Sequence, residues 1–87
     1  MHYVYVIESS VTGIFYKGST ADYLRRLKEH NEGLSTYTQG KGPWKLIFVQ
    51  VFDSMREALN QEKKLKRCNK EYLRWLVSQP QNILLNK

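Results

Sequence analysis

The sequence predicts an α+β fold: a small three-stranded antiparallel sheet flanked by helices, in the order β-β-α-β-α-α. Three observations carry that prediction. Two β-branched and aromatic runs, "HYVYVI" at 2–7 and "IFYKG" at 14–18, lie either side of a turn-rich "ESSVTG". A third run, "WKLIFVQVF" at 44–52, is nearly continuous in apolar residues. Between and after these lie segments of helical period that open on capping residues.

In the first strand, alternation sends Tyr3, Tyr5 and Ile7 to one face and Val4 and Val6 to the other. The turn ends on Gly13, and the returning strand brings Tyr16 back opposite the first two tyrosines. Gly18 is expected to end that strand as a structural turn, where a left-handed or bulged backbone is easy. Thr20 or Asp22 caps a helix beginning near Ala21, and Gly33 stops it. Its apolar stripe is Tyr23, Leu24 and Leu27, while Asp22, Arg26 and His30 repeat every four residues on a neighbouring face. "STYTQGKGP" at 35–43 reads as a polar, glycine-rich loop, and 44–52 as a strand buried on both faces. Ser54 and Glu57 form a capping box that opens a helix from Met55 to Arg67. "KEYLRWLV" at 70–77 is a further helix with Tyr72, Leu73, Leu76 and Val77 inward, and "ILL" at 83–85 forms a tail that packs back on the domain.

Eighty-seven residues suit one domain over 1–87 with one modest core. The composition, 41% hydrophobic and 25% charged, is that of a folded chain. No apolar run approaches the ~20 residues that span a bilayer, and "MHYVYVIESS" lacks the basic flank and long apolar stretch of a signal peptide. A single cysteine, Cys68, makes no internal disulfide, and the expected location is the cytoplasm. The net charge of +6, from 14 basic and 8 acidic residues, favours polyanionic partners, above all nucleic acid, over a membrane. There is no phosphate loop, no zinc spacing and no Ser-His-Asp order.

One carboxylate is out of place. Met55, Ala58, Leu59 and Leu65 form the apolar stripe of the second helix, and Glu62 falls inside it. Burying an ionised glutamate costs several kcal/mol unless it is paired or holds a metal. Two readings stay open: an edge glutamate paired with a nearby Lys or Arg, or a carboxylate pointing into a cleft where a hard cation belongs.

The ordered set "YVY" at 3–5, "YKG" at 16–18, Arg26, His30 and Glu62 resembles the GIY-YIG nuclease family over about residues 2–77. It is most similar to the short stand-alone bacterial members, with likeness also to the catalytic domain of excision-repair nucleases and intron homing endonucleases. "RRLKEHNEG", "GKGPWKLIFV" and "EALNQEKKLK" match three further stretches of that pattern. Tyr5 stands at the tyrosine of the first half of the family name, with Tyr3 and Val4 replacing its glycine and isoleucine. Tyr16 and Gly18 stand in the second half, with Lys17 replacing isoleucine. Arg26 matches the catalytic arginine, His30 the polar residue one turn later, and Glu62 the metal-binding glutamate.

The resemblance implies a metal-dependent endonuclease hydrolysing DNA, directed to a structure or lesion, as in DNA repair, rather than to a long sequence. A tyrosine, Tyr16 or Tyr5, would accept the water's proton with His30 assisting. A free tyrosine titrates near 10, so the base must be tuned downward by Arg26, Lys17 or the metal. Arg26 would clamp the phosphate, and Mg²⁺ or Mn²⁺ on Glu62 would stabilise the departing oxygen. Lys17, Lys41, Lys45, Lys63, Lys64, Lys66 and Arg67 are the expected nucleic-acid contacts, through phosphate rather than bases, although an ordinary solvated helix carries such charges too. One feature departs from the family: many members carry an asparagine after the glutamate helix that orders the active site. Asn69 and Asn82 are the nearest here, and neither sits in a matching motif. The second reading is therefore a non-catalytic module of the same fold that binds nucleic acid or recruits a protein partner supplying targeting.

Overall fold

The computed structural model describes residues 1–86; Lys87, the last residue of the expected domain, lies outside them. Three antiparallel strands, β1 (His2–Ser9), β2 (Phe15–Thr20) and β3 (Trp44–Phe52), form one sheet in the order β2-β1-β3. Helix α1 (Tyr23–Asn31) follows β2, and α2 (Met55–Leu65) and α3 (Lys70–Val77) follow β3. The element order is the one expected from the sequence.

As the central strand, β1 is covered on both faces, so Val4, Tyr5, Val6 and Ile7 are all buried. Val4 and Val6 pack with Phe48, Ala58, Leu65, Leu73 and Leu76, beneath α2 and α3. Tyr5 and Ile7 pack on the other face with Trp44 and Val49, flanked by Tyr23 and Leu27 of α1. A fully buried side chain such as Phe48 contributes about 1.5–3 kcal/mol by leaving water. The middle of β3 is buried on both faces, through Phe48 and Val49. Its Lys45 and Val51 are exposed, because β3 is an edge strand.

The caps close as the residue types dictate. Asp22, Ser54 and Asn69 accept from the backbone N–H of Arg25, Glu57 and Tyr72, each cap worth about 1 kcal/mol. The Ser54 hydroxyl donates back to the Glu57 carboxylate at 3.1 Å. Gly33, with φ +76°, turns the chain out of α1.

Several boundaries and facings differ from expectation. Gly18 is not a turn: it lies inside β2 opposite Tyr5, outside the left-handed region, and the strand runs on because Ser19 and Thr20 pair with Val4 and Tyr3. Helix α1 begins at Tyr23 rather than Ala21 because Asp22 is its cap. The buried row of α1 is Tyr23, Leu27 and His30, which turns Leu24 to solvent. Helix α2 ends at Leu65, and its covered row of Ala58, Gln61, Glu62 and Leu65 leaves Leu59 on the outer flank. Met55 opens α2 ahead of its first buried residue and is exposed. Tyr72 is also exposed, stacked on its α3 neighbour Trp75 with centroids 5.4 Å apart.

The tail packs back as a 3₁₀ turn, Ile83–Asn86, with Ile83 and Leu84 against the Tyr5 side of the sheet. Asn82 fastens it. This asparagine is buried, accepts from the N–H of Val49 and Leu84, and donates to the carbonyls of Ile47 and Val77. No helix among the described residues is long and apolar enough to cross a membrane.

Candidate active site

The site forms where β1, β2 and α1 meet. Tyr5 lies at the centre of β1, buried, with its ring over Gly18; a Cβ at residue 18 would stand 2.5 Å from the Tyr5 hydroxyl oxygen. Tyr16 is two residues earlier on β2, with ring centroids 6.4 Å from Tyr5. His30 descends from the last turn of α1 and is 1% exposed. Its Nε2 is 2.8 Å from the Tyr5 hydroxyl, its Nδ1 is 2.7 Å from Thr38 Oγ1, and its ring meets Tyr16 edge-on at 5.0 Å.

One order of protons satisfies every member of this chain. The Thr38 hydroxyl faces the Ser35 carbonyl at 3.5 Å, so it donates there and accepts from His30 Nδ1–H. Nε2 is then the lone-pair nitrogen and accepts from the Tyr5 hydroxyl. Trp44 Nε1 donates to the Thr38 carbonyl and holds the loop residue in place.

Burial, with Arg26's charge adding to it, lowers the His30 pKa to about 4, so the ring is neutral at physiological pH. Tyr5 moves the other way from the tuning expected of a base. Burial, then the proximity of Tyr16, raises its pKa against the opposing pull of Arg26, and Tyr5 stays a protonated donor.

The His30 environment has a measurable consequence. Between about pH 4 and the ordinary 6.5, the unfolded histidine binds a proton that the folded one refuses. This contribution to stability is complete above pH 6.5 and is lost as pH falls towards 4. At about 1.4 kcal/mol per pH unit it amounts to about 3 kcal/mol. Urea titrations at pH 7, 5 and 4 are expected to show wild type losing that much more than His30→Asn, which cannot titrate there. Parallel losses in the two proteins would refute the buried neutral histidine.

The charges at the site are held in pairs. Arg26, its side chain 30% exposed, donates from Nη1 to Glu29 at 2.8 Å and holds that carboxyl below its usual range. Lys66 donates to Glu62 at 2.8 Å, with the Glu62 side chain 16% exposed. The first of the two readings of Glu62 is therefore realised as an ion pair, while its negative charge also adds to the rise in the Tyr5 pKa. Among the described residues no three His, Cys, Asp or Glu side chains gather as a metal cage. A single, mostly buried carboxylate still suits a hard cation that keeps waters and takes a phosphate oxygen, provided Lys66 lets go.

Lys66 also lines a pocket of about 240 Å³ with Phe15, Tyr16, Lys17 and Tyr37. Lys41 borders it from the loop, donating to the Tyr37 carbonyl at 2.6 Å with its ammonium 4.4 Å over the Tyr37 ring. Lys63, Lys64 and Arg67 are exposed along and just after α2. Lys45 is not brought to the pocket: it sits on β3, across β1 from the strand that carries Tyr16 and Lys17. Neither asparagine orders the site, since Asn69 caps α3 and Asn82 is spent on the tail. Sequence reasoning missed Tyr37 and Thr38. Their only signal was a tyrosine inside a polar loop.

A GIY-YIG catalytic-domain family model matches residues 1–74 of this chain. A UPF0213 protein of Halobacterium salinarum is 47% identical over 77 residues, which is 84% of this chain and 99% of that protein. A UPF0213 protein of Bacillus licheniformis is 43% identical over 80% of this chain and 75% of its own length. Among solved structures, the NMR structure of a UPF0213 protein from Bacillus halodurans superposes with a TM-score of 0.58 at 37% identity, covering 92% of this chain and 85% of that one.

Proposed function

The chain belongs to the GIY-YIG catalytic-domain family, a nuclease family, and from that premise we propose that it is a metal-dependent endonuclease hydrolysing DNA phosphodiester bonds. It works as a single domain in the cytoplasm on a DNA structure or lesion, in the service of repair, with a protein partner supplying any further targeting. The observation that supports this reading is the gathering of Tyr5, Tyr16 and His30 around one buried hydrogen-bonded chain, with the Arg26 charge beside it and a basic pocket at Tyr16.

In this reading Arg26 leaves Glu29 and donates to the non-bridging oxygens of the scissile phosphate. A water oxygen attacks phosphorus and gives its proton to the Tyr16 oxygen acting as base, while the bond to the 3′ oxygen breaks and that oxygen takes a proton from solvent. Tyr5 is unsuited to that step, because its own proton is held on a buried hydroxyl facing His30. Tyr5 and His30 instead fix the floor on which Tyr16 rests. When bound by Glu62, Mg²⁺ or Mn²⁺ supplies charge stabilisation at the phosphate and the departing oxygen. Lys17, Lys41 and Lys66 hold flanking phosphates at the pocket, and Lys63, Lys64 and Arg67 extend the track along α2.

One observation favours the binding-only alternative: Arg26 and Glu62 are both engaged by partners on their own helices. Cleavage decides between the two. Supercoiled plasmid and flapped or branched DNA are expected to be nicked with Mg²⁺ or Mn²⁺ and left intact in EDTA. Binding that survives EDTA with no strand broken under any of these conditions would leave the module and remove the enzyme.

A further inference from the structure

We propose that the pocket beside Tyr16 is a subsite for one unstacked nucleotide, with Tyr37 as its stacking residue. The proposal deepens the nucleic-acid reading above and rests on it. The pocket wall combines aromatic and cationic residues, Phe15, Tyr16 and Tyr37 with Lys17 and Lys66. That is the composition that holds a base by its face and its phosphate by charge. Its volume of about 240 Å³, below the ~300–1,000 Å³ of sites for drug-sized ligands, suits a single base.

The two ends of the wall differ in freedom. Phe15, which lines the pocket and packs on the α2 and α3 side of the sheet, is held by cations of α3, with Lys70 Nζ 4.9 Å and the Arg74 guanidinium carbon 5.1 Å from its ring centre. Tyr37 is 55% exposed on the 35–43 loop, tilted against Tyr16 with centroids 5.4 Å apart. Its ring carries the Lys41 ammonium at 4.4 Å. An exposed cation–π contact is weaker than a base–aromatic stack. A base stacked on Tyr37 therefore replaces that contact, while the Lys41 ammonium, held by the Tyr37 carbonyl at 2.6 Å, stays beside it to pair with the phosphate it brings. Lys66 spans the pocket and Glu62, so a nucleotide phosphate that draws Lys66 away releases the carboxylate. A base stacked in its duplex cannot reach this wall, and the subsite thereby selects DNA with an unpaired nucleotide beside the scissile bond.

Binding of two labelled five-nucleotide strands, pentathymidylate and the same backbone with abasic sugars, tests this by fluorescence anisotropy in EDTA at low salt. Wild type is expected to prefer pentathymidylate by about 5- to 150-fold, the range of one base–aromatic stack. Tyr37→Ala erases most of that preference, whereas Tyr37→Phe and Tyr37→Trp keep it; the exposed position leaves the fold intact. Equal binding of both strands by wild type, failure of pentathymidylate to bind, or an undiminished preference in Tyr37→Ala would overturn the subsite. Cleavage plays no part in the measurement, so failure of the nuclease reading shows separately, as plasmid left whole in Mg²⁺ while the base preference persists.

Discussion

Arg26→Ala is expected to lower DNA cleavage by about 10²–10³-fold, the scale on which removing one preorganised donor to a developing charge acts. Arg26→Lys is expected to recover little of it, because a lysine offers a point charge where the guanidinium offers a planar fork to two oxygens. Stability hardly changes, since the ion pair lost is a partly exposed one within a single helix turn, worth at most about 1 kcal/mol. Glu62→Gln is expected to cut as poorly as Arg26→Ala at saturating Mg²⁺, because the amide keeps the shape of the side chain but not its charge. Combining the two costs much less than the product of the single losses, as in sites whose members act together. Glu29→Gln provides the contrast: it removes the partner that now occupies Arg26 and leaves cleavage at or above the wild-type rate. If Arg26→Ala and Glu62→Gln nick plasmid at the wild-type rate, the catalytic assignment fails, whatever the fold.

The parts of this molecule that were legible in the sequence are those decided by local pattern. Helix α3 and strand β3 fall where expected because "KEYLRWLV" carries a 3.6-residue period and "WKLIFVQVF" lies between a Gly-Pro loop end and the Ser54 cap. Glu62 stood out because a charge interrupted an apolar row, and the row does hold it mostly out of solvent. What was not legible depends on pairing across the sheet or on the long loop. Gly18 looks like a turn until Tyr5 is known to be its neighbour. Arg26 and His30 share a helix face, yet the histidine is buried while the arginine reaches solvent. That difference comes from Thr38, which arrives from eight residues downstream to close over the ring. No periodicity marks such a residue. Leu24 and Tyr72 erred in the opposite sense, for a small three-stranded sheet covers only part of each helix and leaves some apolar side chains outside.

Gly18→Ala is expected to destabilise the protein by about 1–3 kcal/mol, lowering Tm by about 4–8 °C for each kcal/mol in a domain of this size. The added Cβ would stand 2.5 Å from the Tyr5 hydroxyl oxygen, 2.6 Å from its Cζ and 3.0 Å from its Cε1. A lone flexible side chain would swing away. Tyr5 cannot, because its ring is packed in the core and its hydroxyl is tied to His30 at 2.8 Å. The ring must move off its partner, which leaves the His30 nitrogen buried without a donor and tips the wall that supports Tyr16. Backbone strain plays no part, since this glycine lies outside the left-handed region; the requirement is for room alone. The clash therefore disappears when the ring does. Measured in a Tyr5→Ala background, Gly18→Ala is expected to cost only a few tenths of a kcal/mol, the double-mutant cycle giving a coupling of about 1–3 kcal/mol. Tyr5→Phe in the same series removes the hydroxyl, and with it both the contact to His30 and the 2.5 Å approach to residue 18, and keeps the ring contacts at 2.6 and 3.0 Å. An equal cost of Gly18→Ala with and without the Tyr5 ring would mean that the glycine answers to something other than the aromatic above it.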